Sequence, residues 1–197
     1  MNRNLMRVGS LALSLCLAVG TASMAAKKAP IEKYQANAIS VGGAGGNRSA
    51  VLQMNIYEWS TDEDREMVID AIKEATENAR AYRAVPDALR KLGKAGYMFL
   101  AGGQGWPIRY ARAIESGGKR TIVLVTDRPV TFAEVYAGSA VRDYDITIIA
   151  LTFDGDGPGA GLASVGTEVQ WNDTENRIEV TNYSSQPVKL GDVRKID

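Results

Sequence analysis

Four acidic residues, Asp127, Glu134, Asp143 and Asp145, fall near the ends of segments that read as strands. Two carboxylates held across a cleft suffice for hydrolysis, one as acid and the other as base or nucleophile. Asp127 and Glu134 are therefore the candidate catalytic pair of a carboxylate-based hydrolase. The other common hydrolytic routes are closed. The chain has no histidine and a single cysteine, Cys16, so neither a Ser-His-Asp nor a Cys-His arrangement can be assembled from it.

Three further motifs carry chemical suggestions that their surroundings weaken. Gly42-Gly43-Ala44-Gly45-Gly46-Asn47-Arg48-Ser49 looks like a phosphate cradle. Asn47 and Arg48, however, replace the Gly-Lys of a P-loop, and a strand follows where a helix N-terminus is required. Asp154-Gly155-Asp156-Gly157-Pro158-Gly159 matches the start of a calcium loop through Asp154 and Asp156. Val165 stands where the bidentate Glu belongs, so a polar turn is the favoured reading and calcium the alternative. Ser116 and Lys119 have the Ser-x-x-Lys spacing of acyl enzymes, but the intervening Gly117-Gly118 predicts a hairpin turn.

Ligand-binding candidates come from aromatic and cationic residues in loops. Trp106 follows the glycine-rich stretch Gly102-Gly103-Gln104-Gly105, and Tyr110 lies four residues on. Both types combine a large apolar surface with a polar tip, which suits the lining of a small-molecule site. Arg128, in Thr126-Asp127-Arg128-Pro129, is a third candidate contact.

These residues must be positioned by a sheet. Segments 34–41, 50–59, 96–100, 107–114, 121–126, 145–153, 162–171, 177–183 and 188–193 read as strands by alternation and by the turn residues between them. Ser60 and Glu63 suggest a capping box opening a helix whose apolar stripe runs through Val68, Ala71, Ile72, Ala75, Ala79 and Tyr82. Pro86 and Gly93 bracket a second, shorter helix with Leu89 and Leu92 inward. Short connections between strands favour antiparallel pairing. The expected fold is α+β: a mostly antiparallel sheet, open or curled into a barrel or half-barrel, with one inserted helical pair.

Residues 1–25 read as a secretory signal peptide. Arg3 and Arg7 precede an apolar run from Val8 to Val19, and Ser23-Met24-Ala25 supplies a small-residue cleavage site. The run is too short to span a bilayer. A lipid anchor on Cys16 is disfavoured by the bulky Leu15 before it. Cleavage leaves a single domain over 26–197, exported to the periplasm or beyond, with no transmembrane segment. Its removal also takes away Cys16, so the mature chain carries no thiol to mispair in an oxidising compartment. With 23 Lys+Arg against 23 Asp+Glu in the 197 residues, charge gives no reason to expect a nucleic-acid partner. No cofactor is implied.

Trp59-Ser60-Thr61-Asp62, Gly105-Trp106 with Arg109-Tyr110-Ala111, Thr126-Asp127-Arg128-Pro129, Asp143-Tyr144 and Asn182-Tyr183 ahead of Pro187-Val188 resemble stretches in a set of exported bacterial proteins with no assigned function. The resemblance covers nearly all of the mature chain and implies one exported domain, without adding an activity. The favoured expectation is a non-catalytic binding or interaction protein of the bacterial envelope, with a small molecule or an envelope protein as partner. The carboxylate hydrolase is the alternative.

Overall fold

The computed structural model describes residues 29–43, 46–78, 81, 83–101, 103, 105–130, 146–183 and 186–197. The leader expected at 1–25 and the acids Glu134, Asp143 and Asp145 lie outside them.

The chain opens with a long hairpin, β1 (Glu32–Gly43) and β2 (Gly46–Ile56). Two helices follow, α1 (Asp62–Glu77) and α2 (Ala84–Lys91). The remainder is strand: β3 (Gly96–Leu100), β4 (Gly105–Ile108), β5 (Tyr110–Ser116), β6 (Lys119–Thr126), β7 (Thr147–Asp154), β8 (Gly159–Val165), β9 (Thr167–Asn172), β10 (Arg177–Tyr183) and β11 (Val188–Ile196). All described pairings are antiparallel. The α+β expectation, with a helical pair inserted into an antiparallel sheet, is met. Among the described residues no helix is long and apolar enough to cross a membrane.

Nine strands form one sheet in the order β4-β3-β2-β1-β11-β8-β7-β6-β5, while β9 and β10 form a separate two-stranded sheet. The two edge strands of the large sheet, β4 and β5, are separated in sequence by Arg109 alone. β4 pairs with β3 and β5 pairs with β6, and the Arg109 N–H donates to the Val125 carbonyl at 2.8 Å. One run of chain thus supplies both edges, and the sheet curls into a nearly closed barrel. The near-closure at this seam brings the two edges of the sheet together instead of leaving them at its opposite ends.

Alternation along the strands sends one set of side chains into the barrel. Tyr34, Met54, Ile56, Met98, Ile108, Ile122, Leu124, Ile149, Leu151, Leu190 and Val193 are fully buried there. The interior is a filled core. The opposite set on β5, β6 and β7 faces outward, yet it is covered too. Tyr110, Val125 and Ile146 pack against Ala71 and Ile72 of α1, Val85, Ala88 and Leu89 of α2, and Val169 of β9. The helices and the β9–β10 hairpin form a second layer over one side of the barrel.

Several local expectations shift by a residue or split. The capping box at α1 is made by Thr61 and Asp64, whose side chains each accept from the other's backbone N–H, and not by Ser60 and Glu63. Ser60 instead exchanges bonds with Ala111 on the barrel, donating its N–H to the carbonyl and accepting at its hydroxyl. The segment 107–114 divides at Arg109. The segment 162–171 divides at Gly166, whose φ of 57° turns the chain out of the barrel and into the small sheet. The Gly117-Gly118 turn is as the sequence predicts, with φ of 58° and 77°, both left-handed as a two-residue hairpin demands.

Candidate functional site

The second layer does not close completely over the barrel wall. Between α1, α2 and the β9–β10 hairpin lies an apolar groove of about 420 Å³, within the size range of small-molecule sites. Its floor is the outward face of the barrel. Tyr110, Val125 and Ile148 stand opposite one another across β5, β6 and β7, flanked by Val123 and Ile114. Val68, Ile69 and Ile72 of α1 form one wall, continued by Val85 and Leu89 of α2. Val169, Trp171, Ile178 and Val180 form the other.

The walls follow from ordinary patterning. Residues 68, 69 and 72 fall on one face of α1 at helical spacing, and residues 110, 112 and 114 fall on one face of β5 at strand spacing. Trp171 is fixed by its backbone N–H, which donates to the Thr76 hydroxyl at 2.9 Å, and by Lys73, whose ammonium lies 4.8 Å from the indole centroid. The groove opens to solvent along Ile114, Ile178 and Val180, which are 46%, 43% and 47% exposed. Such large exposed aliphatics clustered on one groove are unusual on a protein with no partner for them.

Polar groups converge at the α1 end. Arg65, Arg112 and the Tyr110 hydroxyl meet there. Arg112 is tied to Asp62 at 2.6 Å. Burial raises the Tyr110 hydroxyl above its ordinary pKa, opposed by Arg112 and Arg65. At the hairpin end Arg177 lines the groove and is held by Glu175 and Glu179, at 2.8 and 2.9 Å.

A second cavity, about 800 Å³, lies at the barrel mouth among Tyr34, Phe153, Pro158, Val193 and Lys195. Three of its lining residues converge on Glu32, which accepts from the Tyr34 hydroxyl at 2.5 Å, from Arg120 at 3.0 and 3.1 Å and from Lys195 at 3.0 Å. Burial alone would raise the Glu32 carboxyl; the three donors outweigh it and hold it below the ordinary value. Burial, and then the bond to Glu32, push the Tyr34 hydroxyl well up. Arg120 also lies 3.2 Å from Glu115 through Nε. That contact is electrostatic, because the N–H is not aligned for a hydrogen bond. Arg120 and Lys195 are thus neutralised by Glu32 and Glu115 beside this cavity.

The residues singled out in the sequence are not brought together. Trp106 points into the barrel and is 3% exposed, so it fills the core and lines neither of these two cavities. Tyr110 lines the groove on the other side of the same wall. Arg128 is exposed at the far end of β6, away from both cavities. Asp127 is 7% exposed and lies between two arginines, Arg90 Nε and Arg109 Nε, each at 3.2 Å. It ties α2 to the barrel. The Arg90 contact is a hydrogen bond; the Arg109 contact is a charge pair without hydrogen-bond alignment. Asp154 faces Lys119 at 3.1 Å across the end of β6 and β7, and Asp156 borders the barrel mouth. Among the described residues no group of three or more His, Cys, Asp or Glu converges to hold a metal.

The groove itself escaped the sequence reading. Its signal was present in Ile114, Ile178 and Val180, apolar residues alternating with charged ones in strands that could all have faced a core. Comparison with protein-family models, curated proteins and solved structures finds no match to this chain.

Proposed function

We propose that this protein is an exported, non-catalytic binding protein of the bacterial envelope, and that the groove between α1, α2 and the β9–β10 hairpin is its binding surface. The observation that carries the reading is the groove's open, aliphatic rim on a wall that the rest of the second layer covers. Burying Ile114, Ile178 and Val180 against a ligand removes exposed apolar surface at roughly 25 cal/mol per Å². The packed interior leaves the groove, not the barrel lumen, as the place for an apolar ligand. Nothing among the described residues favours the carboxylate-based hydrolase over this reading, since the Asp127 carboxylate is already taken up by two guanidinium groups.

The test is fluorescence of N-phenyl-1-naphthylamine, an uncharged apolar probe, titrated with the mature chain. Saturable enhancement in the micromolar range is expected. The double variant Ile178→Glu/Val180→Glu changes two already exposed positions, so the fold should hold while affinity falls at least tenfold. Enhancement equal in both proteins would discard the groove as the site.

A further inference from the structure

Every charged side chain lining the groove is an arginine: Arg65, Arg112 and Arg177. No acid lines it among the described residues. From this, and resting on the groove as the binding surface, we infer that the ligand is a single-chain amphiphile with an anionic head, its chain along the groove and its head at the α1 end between Arg65 and Arg112.

The α1 end is preferred because of how its charges are committed. Arg177 is already shared between Glu175 and Glu179. Among the described residues Arg112 has one carboxylate partner, Asp62, itself largely in solvent, and donates besides to the Thr61 carbonyl at 3.4 Å. Arg65 makes no ion pair among the described residues, and its nearby acid Asp64 is engaged in capping α1. Arg65 is therefore a guanidinium without an ion pair among the described residues, on an apolar groove that Arg112 and Tyr110 also line. Guanidinium groups bind carboxylate and phosphate through paired N–H donors. A neutral chain of the same length would leave these donors to water and gain only the burial of its carbons. An acidic peptide would satisfy the arginines but not the long aliphatic floor from Tyr110 to Ile148.

Displacement of N-phenyl-1-naphthylamine tests the inference, with dodecanoate, dodecyl phosphate and dodecanol compared below their aggregation concentrations at low ionic strength. Both anions are expected to displace the probe at concentrations about tenfold lower than the alcohol, as one charge-assisted head contact would give. The relative potency of the two anions identifies a carboxylate or a phosphate head. In Arg65→Gln/Arg112→Gln the acid-to-alcohol ratio should fall close to one. Arg65→Gln alone, which breaks no ion pair, should lower it part of the way and guards against misfolding of the double variant. Equal displacement by acid and alcohol in the unaltered protein overturns the anionic head and leaves the groove standing. A ratio unmoved by either variant overturns the placement at Arg65 and Arg112. Absence of probe binding by folded protein overturns both readings.

Discussion

Trp106 and Tyr110, four residues apart, lie on opposite faces of the barrel wall. Trp106 and Ile108 point inward on β4, and Ala111 points inward on β5, so the parity of the wall changes across Arg109. One residue that belongs to neither strand produces the change, as a β-bulge does. Arg109 is held at this corner by its N–H on Val125, by its guanidinium on the Gly93 carbonyl at 2.9 Å, and by Asp127. The consequence is functional. It rotates Tyr110 out of the core and makes it the floor of the groove.

Trp106 is accordingly a core residue. Trp106→Ala should destabilise the protein by roughly 3–5 kcal/mol, the usual cost of emptying a large aromatic site, and lower Tm by roughly 10 °C for a chain of this size. Probe affinity of the folded protein should stay within about twofold. Thermal unfolding alongside the fluorescence titration reads both, and lost affinity with unchanged Tm would instead put Trp106 at the binding surface.

Asp127 has its place because α2 must be held to the barrel. Asp127→Asn should leave Arg109, the more buried partner, without its counter-charge and cost about 2 kcal/mol, less than a fully buried pair because Arg90 reaches solvent. A double-mutant cycle with Arg90→Ala, followed by urea unfolding, should show a coupling of about 1 kcal/mol. Additive effects would mean that the contact carries no stability.

The strands were legible because turn residues bracket them. Gly96–Leu100 and Arg177–Tyr183 coincide with their expected bounds, and Gly117-Gly118 with its turn. What could not be read was which strand pairs with which. β1 lies between β2 and β11, joining the first described strand to the last across the sheet, and no local pattern encodes a contact of that separation. The face of a strand was legible only while its alternation ran unbroken. A parity change at Arg109 or a corner at Gly166 looks, in sequence, like one more residue of the same strand. The groove was missed for the same reason, being assembled from four separate parts of the chain by the curl of the barrel. The candidate site therefore survives from the sequence in Tyr110 alone.

The Glu32 cluster should give stability a characteristic pH dependence. The Glu32 carboxyl is held below its ordinary 4.5 in the folded protein, so its contribution is present above that value and is lost as pH falls through the lowered one. The Tyr34 hydroxyl is held above its ordinary 10.0, so its contribution is present below pH 10 and is lost as pH rises further. Tm should decline on both sides, below about pH 4 and above about pH 10. Glu32→Gln should flatten the acid limb, and Tyr34→Phe the alkaline one. An acid limb unchanged in Glu32→Gln would assign the loss to other carboxylates.

Filling the groove from its floor separates binding from packing. Ile148 lies on the outward face of β7, between Val125 and Ser164 on the neighbouring strands, and it is only partly buried. A tryptophan there can extend into the open groove without entering the barrel, so the crowding that penalises an enlarged core residue does not arise. Ile148→Trp should therefore hold stability within about 1 kcal/mol, since Ile148 is only partly buried against the helix-facing cluster. Its indole occupies the space an alkyl chain would need, and affinity for N-phenyl-1-naphthylamine and for dodecanoate should drop together by more than tenfold. Were the groove merely an unfilled seam between the two layers, the same substitution would raise Tm, as cavity filling does, and the titrations would not change. Gain of stability without loss of binding would thus place the ligand elsewhere, and loss of binding at constant stability would place it against Ile148.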